Sequence, residues 1–139
     1  PANFKNPRRD DLLVGLAGPS GNLVLALVGA ALMYGLQSMY TNTAPEIFIY
    51  FYGVFLPIFI MVNLYLMFFN LLPIPPLDGS SIFAFLLPEK YLPQYYRIQQ
   101  YALPVFLIVI FVLPYLIHVN LISMYLNVTA GNLATLLIP

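Results

Sequence analysis

The sequence predicts an all-α fold: a polytopic bundle of transmembrane helices with three main spans, a proline-broken loop and a C-terminal interfacial or re-entrant helix. Three observations predict it. Of 139 residues, 61% are hydrophobic and only 7% charged, against about 25% charged in an ordinary soluble domain, too few ions to coat a water-facing surface. The mean hydropathy is +0.87. Three long runs carry no Asp, Glu, Lys or Arg: Leu12 to Pro45, Ile47 to Leu77 and Ile98 to Pro139. Each exceeds the roughly 20 apolar residues with which a helix crosses a hydrocarbon core of about 30 Å.

The first span is placed at about residues 8–40. Asn6 suits its N-cap, and Pro7 suits the first helical position, where a missing N–H costs nothing. The turn Thr41-Asn42-Thr43-Ala44-Pro45 ends it. Glu46 then stands at the start of a second span, 47–72, where a negative charge complements the helix dipole. Pro73, Pro75 and Pro76 end that span because none of them can donate the next helical hydrogen bond. Ser80 to Leu87 reads as a short apolar helix. Residues 88–100 mix Glu89, Lys90 and Arg97 with Tyr91, Tyr95 and Tyr96, the composition of a segment at a headgroup boundary. A third span follows at 101–117, and 120–139 reads as the interfacial or re-entrant helix, with a short fourth span as the alternative. With no linker or repeat in view, 1–139 reads as a single membrane domain.

All five basic residues, Lys5, Arg8, Arg9, Lys90 and Arg97, fall on one side after two crossings. The positive-inside rule makes that side cytoplasmic, together with the N-terminus and the Asp78 loop. The five acidic residues cancel them, so a nucleic-acid footprint is not expected. The absence of cysteine removes disulfides and thiolate metal sites. His118, the single histidine, excludes a site built from two imidazoles within these residues. It would end the third span far from Asp78, and an interfacial role is expected for it.

The segment Asn70-Leu71-Leu72-Pro73-Ile74-Pro75-Pro76-Leu77-Asp78-Gly79 carries the chemistry. Asp78 is a lone carboxylate between apolar runs, and ionisable groups in such places usually face a cavity, a partner or a metal. The prolines force the chain out of helix, and Gly79 permits a sharp or left-handed turn. Irregular backbone at membrane depth survives only when buried in protein or lining a wet cavity. These constraints suggest a broken helix presenting one carboxylate in a polar pocket; the alternative is a cytoplasmic turn with a solvated Asp. In the first span, Gly18, Asn22, Ala26 and Ala30 recur every four residues, a small-residue stripe of the kind that lets helices approach closely in a bilayer. Pro19 is expected to kink that helix, and Asn22 serves either as packing glue or as a pocket lining.

Those residues resemble a known family. The Asn70–Gly79 run resembles the Asn-x-x-Pro-x-Pro-x-x-Asp-Gly signature of site-2-type intramembrane zinc metalloproteases. Ala17-Gly18-Pro19-Ser20-Gly21-Asn22 is similar to the small-residue motif of the preceding core helix. The opening, Pro1 to Asp10, resembles the stretch leading into that helix in short prokaryotic members.

The resemblance implies zinc as cofactor and Asp78 as its third protein ligand. Asn70, Pro73, Pro75 and Gly79 would shape the broken helix end, with Asn70 also a candidate partner for an extended substrate backbone. In the family a His-Glu-x-x-His helix supplies two ligands and the catalytic glutamate, and it precedes the Ala17-Gly18-Pro19 helix. This sequence has no such motif and opens on Pro1 rather than Met, so upstream helices of the same protein are expected as partners. No catalytic residue is assigned within the chain, and the chain alone is expected to be inactive. The implied function is hydrolysis of peptide bonds in or near the membrane, with the bilayer and a transmembrane protein substrate as partners and a prokaryotic plasma membrane as location. A non-catalytic helix-binding relative is the alternative. A transporter fragment is a third reading, and would require a second interrupted helix that the sequence does not show.

Overall fold

The structure, a computed structural model, describes residues 7–139, and every regular element among them is helical. In chain order these are α1 (Pro7–Leu36), extended by a 3₁₀ turn at Gln37–Met39, and α2 (Glu46–Asn70). Then come α3 (Gly79–Leu86), α4 (Leu92–Gln99), α5 (Ala102–Ile117) and α6 (Leu121–Leu137). Pro7 opens α1. The expected N-cap Asn6, the basic Lys5 and the four residues before them lie outside the described residues.

α1 and α2 are long and apolar enough to cross a membrane, and within their apolar windows only 22% and 28% of residues are buried. Val24, Leu25 and Val28 on α1, like Phe55, Ile58 and Val62 on α2, point their side chains outward. Apolar surface on that scale is solvated by lipid rather than water. The two helices run antiparallel, joined by a tight connection in which the Ala44 amide donates to the Thr41 carbonyl at 3.1 Å.

Because lipid tails are as apolar as leucine, close packing rather than the hydrophobic effect holds such helices together. The seam follows from that. Ala26, Ala30 and Met33 of α1 are buried against Leu56, Ile60 and Leu64 of α2. A Cβ on Gly29 would lie 2.9 Å from Ile60 Cγ1 and 3.1 Å from Phe59 Cδ1. Of the expected stripe, Ala26 and Ala30 sit in this seam, Asn22 is half-buried and Gly18 faces another element. Asn63 is a buried polar residue in the second half of α2, and its Nδ2 donates to the Phe59 carbonyl at 2.8 Å.

The prolines act in three ways. α1 continues through the buried Pro19 as one helix. α2 and α5 each accommodate a proline by a wider π turn just before it. The turn Phe51–Phe55 precedes Pro57, and Ile108–Val112 precedes Pro114; the amides of Leu56 and Leu113 reach back five residues, to the carbonyls of Phe51 and Ile108. A proline ring clashes with the carbonyl four residues back, and a π turn displaces that carbonyl without ending the helix. Where three prolines fall within four residues, at 73–76, the helix stops.

Beyond that break, the helical stretch Glu89–Gln99 meets α5 at 83°, and α5 touches α2 through Phe106 set edge-on to Phe69. His118 closes α5 in left-handed backbone, φ 57°. α6 runs antiparallel along α2, with Ala130 and Ala134 buried. Tyr125 donates to the Phe68 carbonyl at 3.0 Å and Tyr65 to Asn127 Oδ1 at 3.3 Å. At roughly 1.5 Å per residue α6 is about 25 Å long, short of a full crossing and of the length of a partial or re-entrant one.

The seam gives a paired prediction. Gly29→Val is expected to destabilise the helix pair by about 1–3 kcal/mol through overpacking. Gly35→Ala, with open space around it, should be neutral or gain up to about 1 kcal/mol in helix propensity. Thermal unfolding of both variants in the same detergent checks the contrast.

Candidate functional site

Much of the break between α2 and α3 is paired by local backbone bonds. Leu71 and Leu72 donate to the Met67 and Phe69 carbonyls, completing the end of α2. Ile74 donates to Leu72 and Leu77 to Ile74, each at 2.8 Å, the second bond closing a turn over the cis Pro75–Pro76 bond. Pro73, Pro75 and Pro76 have no amide proton to satisfy. Three prolines thus reduce the number of backbone donors that an irregular segment must satisfy. Pro75 is buried, whereas Pro73 and Pro76 are exposed.

Gly79 is where the chain folds back most tightly. A Cβ there would overlap the carbonyl groups of Leu71 and Leu72, both backbone. Of the sharp or left-handed turn expected here, the left-handed form is absent, since no glycine among the described residues has positive φ. What Gly79 supplies is contact between the start of α3 and the end of α2. Asn70 is the half-buried last residue of α2, adjoining that contact.

Asp78 stands at the N-cap of α3 but caps nothing. Its backbone is helical, φ −60° and ψ −31°, with no side-chain bond to the first turn. A capping residue needs extended backbone to fold its oxygen onto those amides, so the carboxylate projects elsewhere. It reaches α1, where a Cβ on Gly18 would lie 2.8 Å from Asp78 Oδ2. One turn earlier, a Cβ on Gly15 would lie 3.0 Å from the Asp78 carbonyl oxygen and 3.1 Å from Ser81 Cβ. Asp78 is half-buried, and Asn22, four residues beyond Gly18, lies on the same face of α1.

The rest of α3 lies antiparallel along the first turns of α1. At its far end Arg8 Nη2 donates to the carbonyls of Ala84, Phe85 and Leu87 at 3.1, 2.8 and 2.8 Å. These include terminal carbonyls that lack helical partners, and a cation there also complements the helix dipole. At the near end the buried Tyr95 of α4 donates to the Ser80 carbonyl at 2.6 Å, while Ser80 Oγ donates to the Leu77 carbonyl at 2.8 Å. Burial raises the Tyr95 phenol above its ordinary value.

Arg8, Tyr95, Gly15, Gly29 and Asn63 were not legible as site or seam residues. For the glycines a signal existed: they extend the stripe at intervals of three as well as four. For Arg8 and Tyr95 there was none, because their partners are distant in sequence.

Asp78 Oδ2 packs against the bare backbone of Gly18, in space that a methyl group there would take. A carboxylate oxygen is an ordinary zinc donor, so Asp78 fits the role of one ligand. Among the described residues no three His, Cys, Asp or Glu side chains come together in a metal-holding group, and His118 is exposed at the end of α5.

Apolar helices long enough to cross a membrane, packed around a proline-broken segment, mark an integral membrane protein whose candidate site lies at a helix terminus. The family model for peptidase family M50 matches residues 39–113, just over half of the chain, from the end of the α1 extension through most of α5. The chain belongs to this family, the site-2 protease family. It is similar to the Bacillus subtilis (strain 168) protein described as "Putative zinc metalloprotease YwhC", with 44% identity over 85 residues. That match covers 61% of this chain and 38% of the relative, so the chain spans well under half of that protein's length. No solved structure matches it significantly.

The tight turn generates a prediction. Gly79→Ala is expected to disrupt the α2–α3 junction, lowering stability by about 2 kcal/mol or more because backbone rather than a side-chain tip must move. Gly21→Ala, with nothing within 4 Å of the added atom, is the control. Limited proteolysis across residues 71–79, read beside thermal unfolding, should show the junction opening in the first variant and not in the second.

Proposed function

We propose that this chain forms part of the catalytic core of an intramembrane zinc metalloprotease of the site-2 type, which hydrolyses peptide bonds within or near the bilayer, and that Asp78 is one of its zinc ligands. The observation that carries this reading is the carboxylate's setting: it ignores its own helix terminus and projects to a face of α1 cleared by Gly18. Family membership and the similarity to a named zinc metalloprotease support it.

In this reading, zinc when bound supplies Lewis acidity toward the scissile carbonyl and a nucleophile at neutral pH. The chain's own residues hold and shape the site. Asp78 contributes a negatively charged oxygen donor. Pro73 and Pro75 keep the segment before it out of helix, and Gly79 fixes its distance from α2. Asn70 offers a side-chain amide at the broken helix end, where an extended substrate backbone could be held in register. Asn22 lines the same side of α1.

Catalytic zinc usually takes three protein ligands, so we assign the other two, with the proton-transferring glutamate, to a His-Glu-x-x-His helix that joins this one. The isolated 139-residue chain is then inactive. Its working partners are that helix, the lipid bilayer and a transmembrane protein substrate. We place the Asp78 loop on the cytoplasmic side of a prokaryotic plasma membrane, as the distribution of Lys and Arg suggests.

The test is metal analysis of the complete natural protein. With Asp78 intact it is expected to hold one zinc per chain and to cleave a transmembrane peptide. Asp78→Asn should lose stoichiometric zinc, and peptide cleavage with it, while remaining folded. Full zinc occupancy in that variant would refute the assignment.

A further inference from the structure

Two residues outside the Asn70–Gly79 run converge on α3 from opposite ends. Arg8, near the start of α1, grips its last carbonyls, and Tyr95, on α4, grips its first turn through Ser80. α3 has eight residues, about 12 Å of helix, and the ten rises from Arg8 to Gly18 span about 15 Å of α1. The two lengths match closely enough that an α3 held at Arg8 delivers Asp78 to Gly18. Between them Gly15 lets Ser81 and the Asp78 backbone approach α1 directly. The Gly79 contact fixes where α3 begins, and its direction along the bare glycine face of α1 is left to the groups that hold its far end and its flank. All three bonds come from one guanidinium nitrogen, Nη2, set where the three carbonyls at the end of α3 converge, and the charge on the group strengthens each of them. Its Nε is buried with no partner among the described residues, so the side chain is enclosed rather than free to leave.

We propose that Arg8 and Tyr95 are positioning residues that set the location of the Asp78 carboxylate through α3, and thereby set the metal affinity of the site. This rests on the reading of Asp78 as a zinc ligand. Neither residue touches the metal. Groups that orient a ligand from outside its coordination shell typically change metal affinity by about 10–100-fold when removed.

The experiment uses the complete natural protein in detergent and the metal alone as probe. Zinc affinity is measured by competition with a chromophoric chelator, and site geometry by the visible absorption of the cobalt(II)-loaded protein. Arg8→Gln and Tyr95→Phe are expected to weaken zinc binding about tenfold or more and to shift the cobalt bands, at temperatures where both variants are folded. Arg8→Lys should recover part of the loss. Unchanged affinity and spectrum in folded Arg8→Gln and Tyr95→Phe, with Asp78→Asn still losing metal, would overturn the positioning role and leave the ligand reading intact. If Asp78→Asn itself binds zinc normally, the ligand reading fails and the positioning role fails with it. Should Arg8→Gln not fold, Tyr95→Phe decides the matter, since it removes a single hydroxyl.

Discussion

The site depends on the absence of two side chains. α1 presents bare backbone at Gly15 and Gly18, and α3 lies against it closely enough that a methyl group at either position would meet Asp78 or Ser81. In a bilayer this kind of contact is what drives helices together, because lipid competes on equal terms for every larger apolar side chain. The approach of α3 to α1 and the placement of the carboxylate are therefore a single event. An α3 standing farther out would lose both its packing and the position of its acid.

Membrane burial imposes a second constraint, on the backbone. A chain that leaves helical geometry must pair its polar groups internally or against other protein. The segment between α2 and α3 does much of this with local turns and with prolines that carry no donor. The same residue type is treated differently elsewhere: Pro57 and Pro114 follow π turns and leave their helices continuous. Spacing explains the difference. A single proline disturbs one turn, which a local widening absorbs, whereas three within four residues remove consecutive donors and leave nothing to propagate.

Much of the fold was legible in the sequence because it follows from composition and local stereochemistry. Charge-free runs marked α1 and α2 to within a few residues, proline density marked the break, and α3 was expected one residue from where it begins. The tertiary contacts were not legible. Arg8 bonds to carbonyls 76 to 79 residues away, and no local pattern encodes such a partner. Gly79 was read through its conformational freedom, when what matters there is the space a side chain would take. The small-residue stripe was right at Ala26 and Ala30, but a strict interval of four overlooked Gly15 and Gly29. Asn63 was overlooked because a polar side chain that bonds to its own preceding turn leaves no trace in a hydropathy profile.

The contact at Gly79 has a mechanical consequence. Backbone pressed against backbone has almost no compliance, since no side-chain rotamer is available to yield. The last turn of α2 and the first turn of α3 therefore behave as one stiff corner piece. A load that rocks the end of α2, whether from lipid thickness or from a neighbouring helix, is geared directly to the aspartate and not dissipated in the irregular segment between them.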